Sequence, residues 1–315
     1  MTVVNFNWRV ALLGKYDVFH VHWPEILVSG HNPLKKLVRQ VLTAALLGRL
    51  ALTKTPIVRT VHNIGIPSDI SVLEVWLLRL INRRTTLYVR LNSETPLPTE
   101  KPSVTIPHGH YRDWFSRFPK SEKIPGRIGY VGLIRRYKGV EDLIKAFRQT
   151  TISHPGLSLR LGGNPSTREI GEKIAALSYG DDRILLNLEY VSDAELVDTI
   201  TSSELVVLPY RFMHNSGGAL AALSLDRPVL VPANEVNHAL SEEVGPGWVF
   251  QYTGALTPES ILQTLASLAE DASHTRPDLG RRDWRNGSSA HKEAYEKAVA
   301  YAAGQAPQLQ KAMRP

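Results

Sequence analysis

The 315-residue sequence contains no cysteine, which excludes disulfides, thiolate nucleophiles, zinc ribbons and iron–sulfur clusters and is compatible with a reducing compartment. No charge-free stretch approaches the ~20 apolar residues that a membrane-spanning helix needs. Gly and Pro, at 22 and 20 residues, are near ordinary usage and follow no G-x-y period, so fibrous and disordered architectures are excluded. Residues 1–13 lack a basic n-region, a continuous apolar stretch and a small-residue cleavage site, which predicts no signal peptide. There is no Walker sequence, and no G-x-G-x-x-G follows a strand. Helix-turn-helix spacing, zinc fingers and RNP-like aromatic strands are missing too.

What remains is a chain with 43% apolar and 21% charged residues, enough for two cores of roughly 150 residues each. Its net charge of +7 is unevenly placed. Residues 1–118 carry 15 Lys and Arg against 7 Asp and Glu, a balance of +8, and the remainder is near neutral. An anionic partner is therefore expected for the first third alone: lipid headgroups, a phosphorylated substrate or nucleic acid. The basic residues are interleaved with leucine rather than with aromatics, which disfavours nucleic acid.

Short β-branched runs alternate with longer amphipathic stretches, the pattern of βαβ units and parallel sheets. In the first part, strands are predicted at 18–22 (VFHVH), 57–61 (IVRTV), 87–91 (LYVRL) and 104–106, with helices over 34–52, capped by Asn32 and Pro33, and over 71–83. The basic, Gly- and Pro-containing segment 107–125 reads as a connection, after which the alternation restarts. Strands are predicted at 127–131, 157–161, 184–188, 205–208, 229–231 and 247–250, with helices between them, and a last helix at 288–303. The predicted domains are 1–118, 119–282 and a C-terminal helix and tail, 283–315.

Chemistry-bearing residues cluster where these strands end. YVGLIRRYKG (130–139) sets a glycine turn and fixed cations before a helix N-terminus, an arrangement that suits a diphosphate and that also reads as a solvated basic loop. In LPYRFMHNSGG (208–218), Ser216 caps a helix while Gly217 and Gly218 either admit a phosphate to its N–H groups or serve only helix–sheet packing. GGNPS (162–166) is a weaker turn of the same kind. HGHY (108–111) either contacts a sugar or forms a hinge turn around Gly109. Residues 34–54 set Lys35, Lys36, Arg39, Arg49 and Lys54 beside an apolar stripe, which fits either an anionic membrane surface or a core helix with solvated charges.

Residues 130–147, YVGLIRRYKGVEDLIKAF, resemble YVGRLxxxKGVDxLIxAF, and residues 208–232, LPYRFMHNSGGALAALSLDRPVLVP, resemble LPSxxEGFGLxxLEAMAxGxPVVA. Both patterns belong to the GT-B fold glycosyltransferases, in particular the large retaining family of bacterial lipid and exopolysaccharide mannosyl- and glucosyltransferases. The likeness spans about residues 17–249. It implies an α/β fold of two doubly wound, Rossmann-like domains facing a cleft, with a C-terminal helix crossing back. It also implies that Lys138 binds the donor diphosphate and that Arg135, helped by Arg136, replaces an arginine that falls on Leu133. Ser216, Gly217 and Gly218 would cradle phosphate or donor sugar, and Tyr190 and Val191 would hold the base. His62 and Asn63 would lie beside the donor sugar and reacting centre, with His108, His110 and Asn215 as further sugar contacts.

Two departures change the expectation. The family's paired glutamates fall on Met213 and Ala221, which removes the usual support for a retaining mechanism. The usual first strand and glycine-rich turn are not found ahead of residues 3–10, which predicts a truncated start or a reduced first domain. If the anomeric centre inverts, an acceptor hydroxyl needs a general base, for which Glu25 is the first candidate and His22 the second, both in HVHWPE (20–25). The same segment also reads as a buried His20, a hydrogen-bonded His22 and a solvated Glu25. The H-x-H pair has no third ligand at suitable local spacing, so no metal is expected.

The predicted activity is transfer of a hexose from GDP-mannose or a UDP-sugar to a membrane-associated glycan or lipid-linked acceptor, in polysaccharide or glycolipid synthesis. The predicted location is the cytoplasm or the inner face of the plasma membrane, with no cofactor, no metal and no nucleic acid. The alternative is a GT-B relic that binds nucleotide or glycan, or acts as a scaffold, without catalysis.

Overall fold

The computed structural model describes residues 1–62, 65, 70–270 and 276–305. They form two compact units, Met1–His108 with Trp284–Pro315, and Gly109–Asp283.

Unit 1 opens with α1 (Trp8–Leu13), β1 (Phe19–Val21), α2 (Glu25–Val28), α3 (Pro33–Leu52), β2 (Ile57–Val61), α4 (Val72–Arg84), β3 (Thr85–Arg90) and β4 (Ser103–Thr105). Asn32 accepts the Lys35 N–H at 2.8 Å and Pro33 takes the first helical position, where no donor is needed, so α3 starts where the sequence predicts. Ser71 and Glu74 close a reciprocal capping box on α4. The four strands are parallel and lie in the order β1-β2-β3-β4. Strands added in sequence by right-handed crossovers place their helices on one face. Accordingly Leu46, Leu50, Leu77 and Ile81 pack with Val21 and Ile57 on that side.

Unit 2 contains α5 (Arg112–Phe115), β5 (Arg127–Val131), α6 (Val140–Arg148), β6 (Ser158–Gly162), α7 (Arg168–Ser178), β7 (Ile184–Asn187), α8 (Asp193–Ser202), β8 (Leu205–Val207), α9 (Gly217–Ser224), β9 (Val229–Pro232), α10 (Glu235–Val244), β10 (Val249–Tyr252) and α11 (Pro258–Glu270). Its parallel sheet runs β10-β9-β8-β5-β6-β7 around a core that includes Ile128, Tyr130 and Phe147. Strand order reverses between β5 and β8, and ligands of such sheets bind outside the carboxyl ends of the strands at that point.

The chain then re-enters unit 1 as α12 (Trp284–Ala302). Ala294 and Ala298 are fully buried against Val58, Leu87, Val89 and Ile106, the sheet face that α3 and α4 leave open. The small alanine side chains let the helix approach the strands closely.

Several expected boundaries move. The division falls after residue 108 rather than 118, because Phe115 joins the core of unit 2 and the His110 N–H bonds the Arg282 carbonyl at 3.0 Å. The strand expected at 247–250 is Val249–Tyr252, and α10 has no counterpart in the sequence reading because its mostly polar EVNHALSEEV buries only Asn237, Leu240 and Val244. Residues 8–13 form the first helix, with Asn7 accepting the Val10 N–H.

Candidate active site

In unit 2 the loops after β5 and β8 meet at the switch point. Gly139 has φ 61° and a Cβ there would stand 2.0 Å from the Pro209 carbonyl oxygen, so only glycine permits this approach. The Arg211 N–H donates to the Tyr137 carbonyl at 2.8 Å, which fastens the two loops together. Lys138, half-buried between them, holds its ammonium 4.8 Å from the centre of the Tyr210 ring. Burial first, and the neighbouring Arg135 second, pull this ammonium down to about 8. Arg135 is exposed on the same turn.

Not every cation here is available. Arg136 pairs with Glu169 at 3.3 Å and Arg211 with Asp142 at 2.9 Å. Ser216 accepts the Ala219 N–H at 3.1 Å, as a cap should. The N–H groups of Gly217 and Gly218 precede the first intrahelical bonds of α9 and are oriented to receive an anion. A Cβ at Gly217 would lie 3.3 Å from the Tyr111 hydroxyl, and one at Gly218 3.2 Å from the Tyr210 hydroxyl, so the glycines keep this helix end open to close approach. Asn215 is exposed one residue before the cap.

Met213 and Ala221, where paired glutamates were sought, both lie in the core of unit 2. The Asn234 amide donates to the Met213 carbonyl at 3.0 Å, and Ala221 is inside α9. At 213 the Asn237 amide Nδ2 stands 3.5 Å from the thioether sulfur, whereas a carboxylate at 221, inside α9, would be desolvated. Tyr190 is 80% exposed. Val191 lines a cavity of about 200 Å³ together with Gly162 and Asn187, at the ends of β6 and β7.

In unit 1 the titratable residues gather at the carboxyl ends of β1 and β2. Nδ1 of His22 lies 3.0 Å from Nε2 of His62, and the His62 ring stacks on Trp23 at 4.3 Å and 14°. His20 bonds the Thr60 hydroxyl through Nε2 at 2.8 Å and the Tyr295 hydroxyl through Nδ1 at 2.6 Å, while its ring lies 4.4 Å from that of His22. Burial is the main cause that lowers all three imidazoles. His22, His291 and His62 add to it at His20, which falls to about 3. His22, His108 and Arg59 add to it at His62, which falls to about 4, and His291 adds to it at His22. All three are neutral near pH 7.

Glu25 is the first residue of α2, half-buried, and its charge reaches the buried Arg59 guanidinium, which donates to Asn82 on α4. His108 packs edge-on to Trp284 with ring centres 6.1 Å apart. His110 belongs to unit 2, buried, with Nδ1 accepting the Arg112 N–H at 3.3 Å. Asn63 lies outside the described residues. Among the described residues no group of three or more His, Asp or Glu is placed to hold a metal ion.

Sequence reasoning gave no role to Tyr295, His291 and Thr60 in unit 1, or to Tyr210 and Arg211 in unit 2. Tyr210 and Arg211 carried a signal, lying inside a segment already singled out. Tyr295 carried none, because it stands 275 residues from its partner.

No family model matches the chain. Two sequences of the GDP-mannose:glycolipid 4-beta-D-mannosyltransferase of Xanthomonas campestris pv. campestris are each 43% identical to it over 296 residues, covering 93% of this chain and 83% of theirs. Among solved structures, an alpha,alpha-trehalose 6-phosphate synthase from Burkholderia multivorans superposes with a TM-score of 0.58 at 15% identity, covering 93% of this chain and 74% of that one. A sucrose-phosphate synthase from Thermosynechococcus elongatus gives 0.55 at 15% identity over 92% and 72%. Two parallel-sheet α/β units, a glycine-gated cation site at a switch point and this degree of identity favour catalysis over a relic that only binds: the chain belongs to the GT-B glycosyltransferases, in the family of the Xanthomonas GDP-mannose:glycolipid 4-beta-D-mannosyltransferase, and is a hexosyltransferase.

Proposed function

We propose that the chain transfers mannose from GDP-mannose to a hydroxyl of a glycolipid acceptor, with inversion at the anomeric carbon. The observation that carries the reading is the meeting of Lys138, Arg135 and the α9 N-terminus at the switch point of unit 2 in a chain 43% identical to a mannosyltransferase of that name. The cations and helix end would take the charge of the departing diphosphate, and Val191, beside the cavity at the ends of β6 and β7, would meet the base. A β-mannoside made from an α-linked sugar nucleotide forms with inversion, and a family site without the two glutamates suits that outcome. Inversion calls for a base on the acceptor proton, which unit 1 would supply from Glu25, His22 or His62. No metal is required in this scheme.

The acceptor reading is supported by α3. Its first half is turned inside out for a core helix: Gln40 and Thr43 are buried, bonded to the carbonyls of Val28 and Leu27. Leu34, Leu37, Val38 and Val41 are exposed, by 48% to 71%. Burying each such side chain is worth roughly 1.5–3 kcal/mol, so this stripe together with the +8 balance of residues 1–118 suits an anionic lipid surface, at the inner face of the plasma membrane. The basic residues contribute less than their number suggests. Lys36 pairs with Glu74, Arg39 caps the Ser29 carbonyl and Arg49 bonds carbonyls of unit 1, which leaves Lys35 as the exposed charge on the first turn of α3. Among the described residues no helix is long and apolar enough to cross a membrane.

The test is a thermal-shift panel of GDP, UDP, ADP and their sugars, followed by transfer of labelled mannose to a lipid-linked acceptor. Stabilisation by GDP and GDP-mannose above the others, with transfer to a β-linked product, supports the reading. Stabilisation by UDP alone, or no transfer, overturns it.

A further inference from the structure

The geometry points to His22 and His62 acting as one base, a hydrogen-bonded pair that takes up a single proton from the acceptor hydroxyl and is held in place by a brace of His20 and Tyr295. This rests on the mannosyl-transfer reading above and goes beyond it in naming the base, its stoichiometry and its support.

Two neutral imidazoles joined through Nδ1 of His22 and Nε2 of His62 contain two protons, one of them in the bridge. The other sits on the outer nitrogen of whichever ring accepts in the bridge. The pair therefore presents one bare outer nitrogen, on the ring that donates in the bridge. In the transfer step the acceptor oxygen bonds the anomeric carbon as the bond from that carbon to the diphosphate oxygen breaks. The electron pair leaves with the diphosphate, and the acceptor's proton moves to the bare nitrogen. The resulting positive charge is shared by both rings. A second proton has no place without breaking the bridge, so the pair titrates as a unit.

The rings are clamped from two sides. Trp23 stacks on His62, and His20 lies against His22. His20 can do this because both of its nitrogens are fixed, one by Thr60 of β2 and one by Tyr295 of α12. The charged and titratable groups facing the pair are His20 on β1, Arg59 on β2, His108 after β4 and His291 on α12, with Glu25 on α2 within reach of Arg59. All of these except Glu25 disfavour a charge on the imidazoles, which keeps the pair bare and ready. The Glu25 charge favours the charged form of Arg59, so its carboxylate balances that guanidinium rather than accepting the substrate's proton.

The experiment is steady-state transfer from GDP-mannose to a glycolipid acceptor across pH 4.5–8.5. It compares the whole chain with His22→Gln, His62→Gln, the double variant, Glu25→Gln and Tyr295→Phe, and follows the GDP-induced thermal shift of each. His22→Gln and His62→Gln should each lower kcat by about 10²- to 10⁴-fold with the GDP shift intact. The double variant should lose no more than the worse single one, because the two act as a unit. Added imidazole should restore part of the rate to His22→Ala. Tyr295→Phe should lower kcat by roughly tenfold at unchanged donor KM and displace the acid limb of its pH profile, which a purely structural loss would leave in place. Glu25→Gln should keep that limb. Loss of the acid limb in Glu25→Gln with retained rates in both histidine variants overturns the proposal. Absence of a GDP shift and of transfer in the unaltered chain instead overturns the mannosyltransferase reading, and the two failures are thereby separate.

Discussion

The hydroxyl of Tyr295 lies 2.6 Å from Nδ1 of His20, and this bond ties the last helix to the first strand across 275 residues. With the Thr60 hydroxyl on the other nitrogen, it fixes a neutral imidazole beneath His22. In the proposed scheme the acceptor base is thus braced by a residue far from every recognisable motif.

Lys138 should dominate donor affinity. Lys138→Ala is expected to abolish the GDP-induced rise in Tm and to lower transfer by more than 10²-fold, while the melting temperature without ligand stays within a few degrees. The ammonium rests on the face of Tyr210 and completes no core. Because burial and Arg135 bring it to about 8, the free protein carries this charge below that pH and loses it above. Calorimetric GDP affinity should accordingly be flat from pH 6 to 7.5 and fall toward pH 9, and the alanine variant should lack that alkaline fall.

Chelation offers a direct check on the fixed-cation scheme. Transfer assayed in millimolar EDTA is expected to match transfer in magnesium. A loss that magnesium or manganese restores would mean that Lys138, Arg135 and the α9 end do not suffice for the diphosphate.

Acid should loosen unit 1. His20 has a folded pKa near 3 against about 6.5 for a free imidazole, so the unfolded chain binds the extra proton first as pH falls. The stability it contributes is complete above about pH 6.5 and is lost progressively on the way down to about pH 3. Denaturant midpoints measured from pH 7.5 to 4 should decline, and His20→Asn, though less stable at pH 7.5, should decline less steeply.

The apolar stripe on α3 can be altered without touching the core. Leu37→Glu with Val41→Glu is expected to lower co-sedimentation with anionic phospholipid vesicles at least tenfold, with an unchanged Tm and unchanged transfer to a water-soluble acceptor analogue. Equal vesicle binding by this variant would remove α3 from the membrane-facing role.

Legibility in the sequence followed the distance over which each feature is built. The two loops at the switch point were readable because residues 132–139 and 208–218 each carry their glycines and cations within one strand-to-helix turn. The caps Asn32 and Ser216 were readable for the same reason. His22 and His62 could be picked singly, but their contact depends on β1 pairing with β2 in the register Val21 opposite Arg59, which no local pattern encodes. The boundary between the units falls inside HGHY, at Gly109, where a hinge turn was one of the two readings. The charges of 34–54 looked like a solvated basic face, yet Lys36, Arg39 and Arg49 are engaged by Glu74 and by backbone carbonyls that only the folded unit brings near.

The placement of α12 on the open face of the unit 1 sheet also sets an order of events during synthesis. Residues 109–283 leave the ribosome with every strand of their sheet, and domains fold as units when they emerge. The four strands of the first unit emerge earlier, yet Val58, Leu87 and Val89 stay uncovered until Ala294 and Ala298 arrive. The unit whose strands precede residues 109–283 is therefore completed after them, and the nascent chain must shield one apolar sheet face while those residues are made.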